Sequence, residues 1–485
     1  MSNVTLNPRN PIPAIPPSTR LLYSSGVVGY ALKDAAMAAF ILFYYKQVLG
    51  LSGTLTGLAI AISIVWDGIS DPLVGAWSDK IRTAIGRRHP FMIASVAPLA
   101  LSFILLFSPP GAALETQASL FTWLMLTILL LRTALTVFMV PYLALGAEIT
   151  SDYHERTRLA SARTNLGYFA GVLVSATGLA LLFNEKNGVD GRFVIENYHI
   201  YGWVSAILTL IFSITCIAGT WQHIPHLAKA TLHKGSNILG DLVTAFRNRN
   251  FLYLVIFDTA LGGMSGIIAT LLMVTYTYFW ELNALQISLL FAGPIITAVL
   301  LITVFSEFLN RRFEKQQLLR LSCALTIINL LWLTPLKLAG WLPENSNWVF
   351  VLIYINWSIH MTMTILRVIA VQTLLADIVD EQELATGKRQ EGAMFAAAFF
   401  SAKFISGFGY LVAGPFLDLI GLEPGLQPGE APQQVIWGLG LIMGPGLAVT
   451  MLIPMWMSLK LHASHATHIT VRKALAARAR TAEIQ

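Results

Sequence analysis

The chain has 485 residues, of which 55% are hydrophobic and only 12% charged, with a formal net charge of +6. Its mean hydropathy is +0.64. A soluble domain carries about 25% charged residues, so this composition excludes water-soluble and disordered classes and predicts a polytopic membrane protein.

The first residues are polar and Pro-rich, with no short apolar core before a small-residue site, so no cleavable signal peptide is expected. Apolar stretches then recur. Hydropathy predicts twelve spans at about 20–48, 53–78, 90–108, 118–147, 158–183, 199–221, 251–280, 285–307, 318–339, 347–376, 392–420 and 434–459. With both termini on one side, the loops of that side hold about 23 of the 32 Lys and Arg, and the other side about four. The positive-inside rule then places both termini in the cytoplasm, and the short loops fit a multi-pass protein of a bacterial-type inner membrane. The net charge follows from this topology and needs no nucleic-acid partner. Cys216 and Cys323 both fall in apolar stretches and form no disulfide framework.

The second span carries two aspartates, in Val65-Trp66-Asp67-Gly68-Ile69-Ser70-Asp71-Pro72. Carboxylates at i and i+4 share one helix face. A charge at membrane depth costs roughly 2.5–3.5 kcal/mol on insertion scales, and two like charges cost more unless a cation or a base neutralises them. Asp67 and Asp71 therefore read as a cation site in a transport pathway. A structural ion pair with Arg163 or Lys403 is the competing reading.

The chain divides at a polar, basic segment, 222–250, which joins an N-terminal half, 1–221, to a C-terminal half, 251–460. A basic tail, 461–485, follows. A weak repeat supports the division. Ala147-Glu148-Ile149, with Thr157 ten residues after Ala147, recurs as Ala376-Asp377-Ile378 with Thr386, an offset of 229 residues. The expected fold is thus all-α, with twelve transmembrane helices in two six-helix halves around a central cavity.

These residues resemble a known family. The chain is similar to the major facilitator superfamily, and within it to the glycoside–pentoside–hexuronide:cation symporters typified by melibiose permease. The resemblance rests on Lys33-Asp34 in the first span, Trp66 to Pro72 in the second, and the loop Gly75 to Asp79 with Arg82 and Gly86-Arg87-Arg88. It continues through Val140-Pro141-Tyr142 to Arg158, Ala376 to Asp380, and Glu391-Gly392. It implies that Asp67, Asp71 and the Thr136 hydroxyl hold Na⁺ or take a proton. It implies that Asp34 accepts substrate hydroxyls, and that Arg163 and Lys403 are basic residues near the two sites. Na⁺ is a hard ion that suits such oxygens. The family's further acid and its stacking tryptophan are replaced by Met139 and Leu143. At the matching place in the tenth span Arg367 and Val368 stand.

Within the spans, Asp34, Asp67, Asp71 and Asp258 face Lys33, Arg132, Arg163, Arg367 and Lys403. If all line one cavity, bases and cation together exceed the acids. A uronide or another anionic substrate would then suit Lys33, Arg163, Arg367 and Lys403. Lys33 and Asp34, being adjacent, should pair poorly, and Asp258 is expected in a structural pair. Asp79, Arg82, Arg87, Arg88, Glu148 and Asp377 are expected as a cytoplasmic gate that latches when the halves close. His462, His465 and His468 recur at intervals of three in the tail, beside basic residues that favour a plain cytoplasmic extension.

The expected function is cation-coupled uptake of a sugar, glycoside or uronide by alternating access. The expected partners are that small molecule, the coupling cation (Na⁺ or H⁺) and membrane lipid, with no cofactor beyond the ion. The alternative is a symporter of lysolipid or another amphiphile. The spans hold no nucleophile–base–acid set, so an enzyme is not expected.

Overall fold

In the computed structural model, the described residues are 15–81, 83–150, 152–226, 244–343, 347–387, 390–462 and 465–484. They contain twelve helices long and apolar enough to cross a membrane. These are α1 (Pro17–Val48), α2 (Gly53–Lys80), α3 (His89–Phe107), α4 (Gln117–Ile149), α5 (His154–Leu181) and α6 (Ile195–Thr220), then α7 (Arg249–Phe279), α8 (Ala284–Leu309), α9 (Lys315–Leu338), α10 (Asn347–Thr386), α11 (Glu391–Leu419) and α12 (Gln433–Lys460). A terminal helix, α13 (His465–Ile484), follows. The chain is a multi-pass membrane protein.

Polar caps set the helix starts. Ser52 accepts from the Leu55 amide and begins α2, and Asp152 accepts from the Glu155 amide ahead of α5. Thr116 with Ser119, and Asn283 with Gln286, form reciprocal capping boxes at α4 and α8. The observed α5 thus starts before its expected apolar stretch at 158. Similarly α10 runs past 376 to Thr386, because Asp377, Asp380, Glu381 and Glu383 continue the helix into a polar zone. Hydropathy marks where apolar side chains stop, and that point need not end the backbone hydrogen bonds.

The two sets of six helices touch mainly through α2 with α11 and α5 with α8. Glycine permits the first junction. A Cβ on Gly57 would lie 2.4 Å from the Tyr410 carbonyl oxygen, and one on Gly414 would lie 2.2 Å from the Gly53 carbonyl oxygen. Within the second set, α7 and α11 approach as closely, at Gly266 and Gly409. In lipid such close backbone packing supplies the attraction that the hydrophobic effect cannot.

Polar contacts between the sets concentrate at one end of the bundle. There Asp418 on α11 accepts from Lys46 Nζ at 2.7 Å, from the Gly53 amide at 2.8 Å, and from the Thr54 amide and hydroxyl at 2.7 Å. A carboxylate on the N-terminus of α2 also meets the positive end of the helix dipole. Tyr278 donates to Gln47 Oε1 at 2.9 Å, Arg192 to Thr277 Oγ1 at 2.8 Å, and Ser288 to the Ala176 carbonyl at 2.7 Å.

The end that carries the chain termini is built differently. Arg87 and Arg88 pair with Glu148 at 2.8 Å, Arg88 pairs with Asp79 at 2.7 Å, and Lys315 pairs with Asp377 at 2.6 Å. Each of these stays within its own set of six. Among the described residues, Asp79, Arg87, Arg88, Glu148 and Asp377 thus pair within their own set and not in the expected latch across the halves. Its acids instead tie the loop after the second helix of each set to the end of the fourth. Arg82 lies outside the described residues.

These matched clusters give the repeat a structural counterpart, since Glu148 and Asp377 are 229 residues apart. A second counterpart is a widened π-helical turn, Tyr44–Val48 in α1 and Thr275–Phe279 in α7. Of the tail histidines, His468 Nδ1 lies 3.4 Å from Asp377, which docks α13 on α10. The side chain of His465 lies outside the described residues.

Candidate functional site

A cavity of about 820 Å³ lies between the two sets of helices. Ligand sites commonly span about 300–1,000 Å³. Its walls carry Lys33, Asp34, Asp67, Asp71, Thr136, Arg163 and Lys403 among apolar residues such as Leu135, Met139, Leu143 and Phe291. A smaller cavity shares Leu143 and Arg163 with it and continues past Ala147 and Arg156, toward the end that carries the termini.

The α2 aspartates sit in two facing ladders. Along α2, Ser63, Asp67 and Asp71 recur every four residues; along α4, Arg132 and Thr136 do the same. The ladders meet rung by rung. Arg132 Nε donates to Ser63 Oγ at 2.9 Å, and its Nη1 donates to Asp67 Oδ2. Thr136 Oγ1 donates to Asp71 Oδ1 at 2.8 Å. From the opposite wall, Lys403 of α11 brings its ammonium 3.2 Å from Asp67 Oδ2 and 3.6 Å from Asp71 Oδ2. The Asp67 and Arg132 side chains are only 10% and 5% exposed, whereas those of Asp71 and Lys403 are 42% and 44% exposed.

Several expectations need correction. Of the two bases named in the competing ion-pair reading, Lys403 lies against the carboxylates, and among the described residues Arg163 makes no ion pair with them. Arg163 instead lines the cavity wall and, beside Tyr23, the smaller cavity that adjoins it. Arg132 takes the remaining place. The missed signal was its i, i+4 spacing to Thr136, which puts both on the α4 face turned to α2. Lys33 does pair with Asp34, although neighbours on a helix diverge by about 100°. The long lysine stem reaches round, and its ammonium also lies 4.3 Å from the Tyr30 ring centroid.

Arg367 is not in this cavity. It lines an adjoining one of about 420 Å³, walled mostly by the C-terminal set, together with Asp258, Trp357, His360 and Thr364. There it donates to Thr326 Oγ1 at 2.5 Å and Thr364 Oγ1 at 3.0 Å. Asp258 has no ion-pair partner among the described residues, against expectation. Only Ala38 lines both cavities. The basic surplus expected in one cavity is therefore divided between two.

The family described as MFS/sugar transport protein matches residues 22–460. The chain belongs to this family. An isoprimeverose transporter of Lactiplantibacillus pentosus is 22% identical to this family member over 404 residues, covering 83% of this chain and 80% of its own. A glucuronide carrier protein homolog of Escherichia coli is 26% identical over 412 residues, covering 81% and 83%. The mouse sodium-dependent lysophosphatidylcholine symporter 1 is 28% identical over 159 residues, 32% of this chain and 30% of its own. Among solved structures, the nucleoside transporter NupG superposes with a TM-score of 0.63 at 15% identity, covering 91% of this chain and 99% of its own. The xylose transporter XylE of Escherichia coli gives 0.54 at 13%, covering 89% and 95%. These two share the major facilitator fold.

The residue set can be tested against a Na⁺ ion on its own geometry. Na⁺ is a hard ion that takes oxygen ligands, and carboxylates matched by nearby bases attract it less than unmatched ones. Here Asp67 and Asp71 are faced by Arg132 and Lys403, so two negative charges already meet two positive ones. As arranged, the four charges of this cluster already balance.

Proposed function

We propose that the chain is a cation-coupled symporter that carries a sugar, glycoside or uronide by alternating access, with both termini in the cytoplasm. The observation that carries this reading is the cavity between the two sets of helices, bounded by polar bonds at one end and lined by Asp34, Asp67, Asp71, Arg163 and Lys403. Rocking of one set on the other would expose these groups to each side in turn. Asp34 is half exposed to the cavity and offers acceptors to sugar hydroxyls. Arg163 and Lys403 offer charge-assisted donors to a carboxylate, as on a uronide. The relatives named for isoprimeverose and glucuronide transport support the substrate class.

Uptake by the purified protein in proteoliposomes tests this reading, with neutral glycosides and uronides supplied under imposed H⁺ or Na⁺ gradients. Acceleration of one sugar class by an inward cation gradient is expected. Indifference of every sugar to every gradient would refute coupling. Arg163→Gln should lower uronide uptake by about ten- to a hundredfold, the loss of one charge-assisted hydrogen bond. It should change neutral glycoside uptake far less. Equal effects on the two classes would remove Arg163 from carboxylate recognition.

A second reading is transport of a lysolipid. It draws on the partial match to the lysophosphatidylcholine symporter and on the apolar walls at Val27, Leu135, Met139, Val140 and Phe291. Competition of sugar uptake by lysolipid, or lysolipid uptake without sugar uptake, would favour it.

A further inference from the structure

We propose that Arg132 is a built-in cation that takes the place of Na⁺ beside the α2 carboxylates, so that Na⁺ is not the coupling ion of this transporter. The inference rests on the symporter reading, but its decisive measurement does not need transport.

Three observations carry it. The first is position. The Arg132 guanidinium is held at both ends of its fork, by Asp67 through Nη1 and by Ser63 through Nε at 2.9 Å. With its side chain 5% exposed, it occupies the space beside Asp67 between α2 and α4. The second is charge. Asp67 and Asp71 carry two negative charges, and Arg132 and Lys403 carry two positive ones. A Na⁺ ion arriving here would join a balanced cluster and meet two positive neighbours. An arginine in a protein does not deprotonate, so its charge cannot be withdrawn to make room.

The third is mechanics. Lys403 comes from the other set of helices and is 44% exposed. Arg132 and Asp67 both belong to the first six helices, and their pair travels with that set. The neutralised state of Asp67 therefore persists through the transport cycle. Asp71 differs: its partners are the Thr136 hydroxyl of its own set and Lys403 of the other. Arg132 thus acts as a specificity residue for the coupling ion without touching the substrate.

The test is thermal unfolding of the purified full-length protein in detergent, in NaCl against choline chloride at equal ionic strength, for the parent, Arg132→Ala and Arg132→Lys. Sugar uptake in proteoliposomes is measured in parallel with the same two salts. The parent should melt at the same temperature in both salts and take up substrate equally in both. Arg132→Ala vacates the site and leaves an unmatched carboxylate. It should gain a Na⁺-dependent rise in melting temperature and, where uptake survives, a dependence on Na⁺ of about tenfold, within the usual range of coupling between ligands. Arg132→Lys keeps the charge and should gain neither.

A parent stabilised by Na⁺, or one whose uptake requires Na⁺, overturns the proposal without any variant. An Arg132→Ala protein that folds and stays indifferent to Na⁺ overturns the role of Arg132. Should that variant not fold, Arg132→Gln removes the charge at similar volume, and the same two outcomes decide. Failure of all sugar uptake under every gradient would defeat the symporter reading, yet the melting comparison would still report on Arg132.

Discussion

Gly57→Val is expected to abolish transport and to hold the molecule away from the conformation described here. Its Cβ would sit 2.4 Å from the Tyr410 carbonyl oxygen and 3.3 Å from the Gly414 Cα. Both are backbone atoms on α11, so no side chain can swing aside. Relief requires α2 and α11 to separate, which pulls the N-terminus of α2 from Asp418. Overpacking of this kind costs about 1–3 kcal/mol, and a bias of that size shifts a two-state equilibrium roughly 5- to 150-fold. The shift is readable with Ala38→Cys, since Ala38 lines the cavity and the two native cysteines are buried. In the Gly57→Val background this thiol should react faster with a membrane-impermeant reagent added opposite the termini. Transport at the parent rate, with unchanged labelling, would mean that the α2–α11 junction does not close the cavity.

Asp67→Ala is expected to be the most damaging change among the cavity acids, and for two separable reasons. It removes an acidic group from the cavity wall, and it strands the buried Arg132 guanidinium with Ser63 alone. Breaking one side of a buried pair costs about 3–5 kcal/mol, whereas replacing both partners by apolar groups is often neutral or better. Thermal melting should therefore show a large loss for Asp67→Ala. The loss for Asp71→Ala should be smaller, because that carboxylate is 42% exposed. The double change Asp67→Leu with Arg132→Met should recover stability while uptake stays lost. Equal stability losses for the two aspartates would contradict the buried pair.

Much of this architecture was legible in the sequence, because each relevant signal is local. Twenty or so apolar residues specify a span, and Asp67 and Asp71 declare a shared face by spacing. Helix ends were read less well, since α10 continues through Asp377 to Thr386 without apolar support. The partners of the charges were least legible. Which base meets Asp67 depends on the register of α2 against α4, and the sequence shows each ladder without showing which rungs face. Arg367 illustrates the same limit. Its depth in the membrane was apparent, but the rotation of α10 and the hydroxyls of Thr326 and Thr364 turn it into a different cavity. Lys33 failed for a different reason: helix geometry describes where Cβ atoms point, and a long flexible side chain need not follow.

The repeat between the two sets extends to their π-turns and their terminal ion pairs, yet it stops at the α2 carboxylates. The positions 229 residues beyond Asp67 and Asp71 are Ile296 and Leu300. Two similar scaffolds thus carry dissimilar electrical duties. One holds both carboxylates and a fixed guanidinium, while the other reaches them, among the described residues, through the single amine of Lys403. At this site the two scaffolds are wired together by four methylene groups and one charge. Acylating that amine would disconnect them electrically while leaving each scaffold whole.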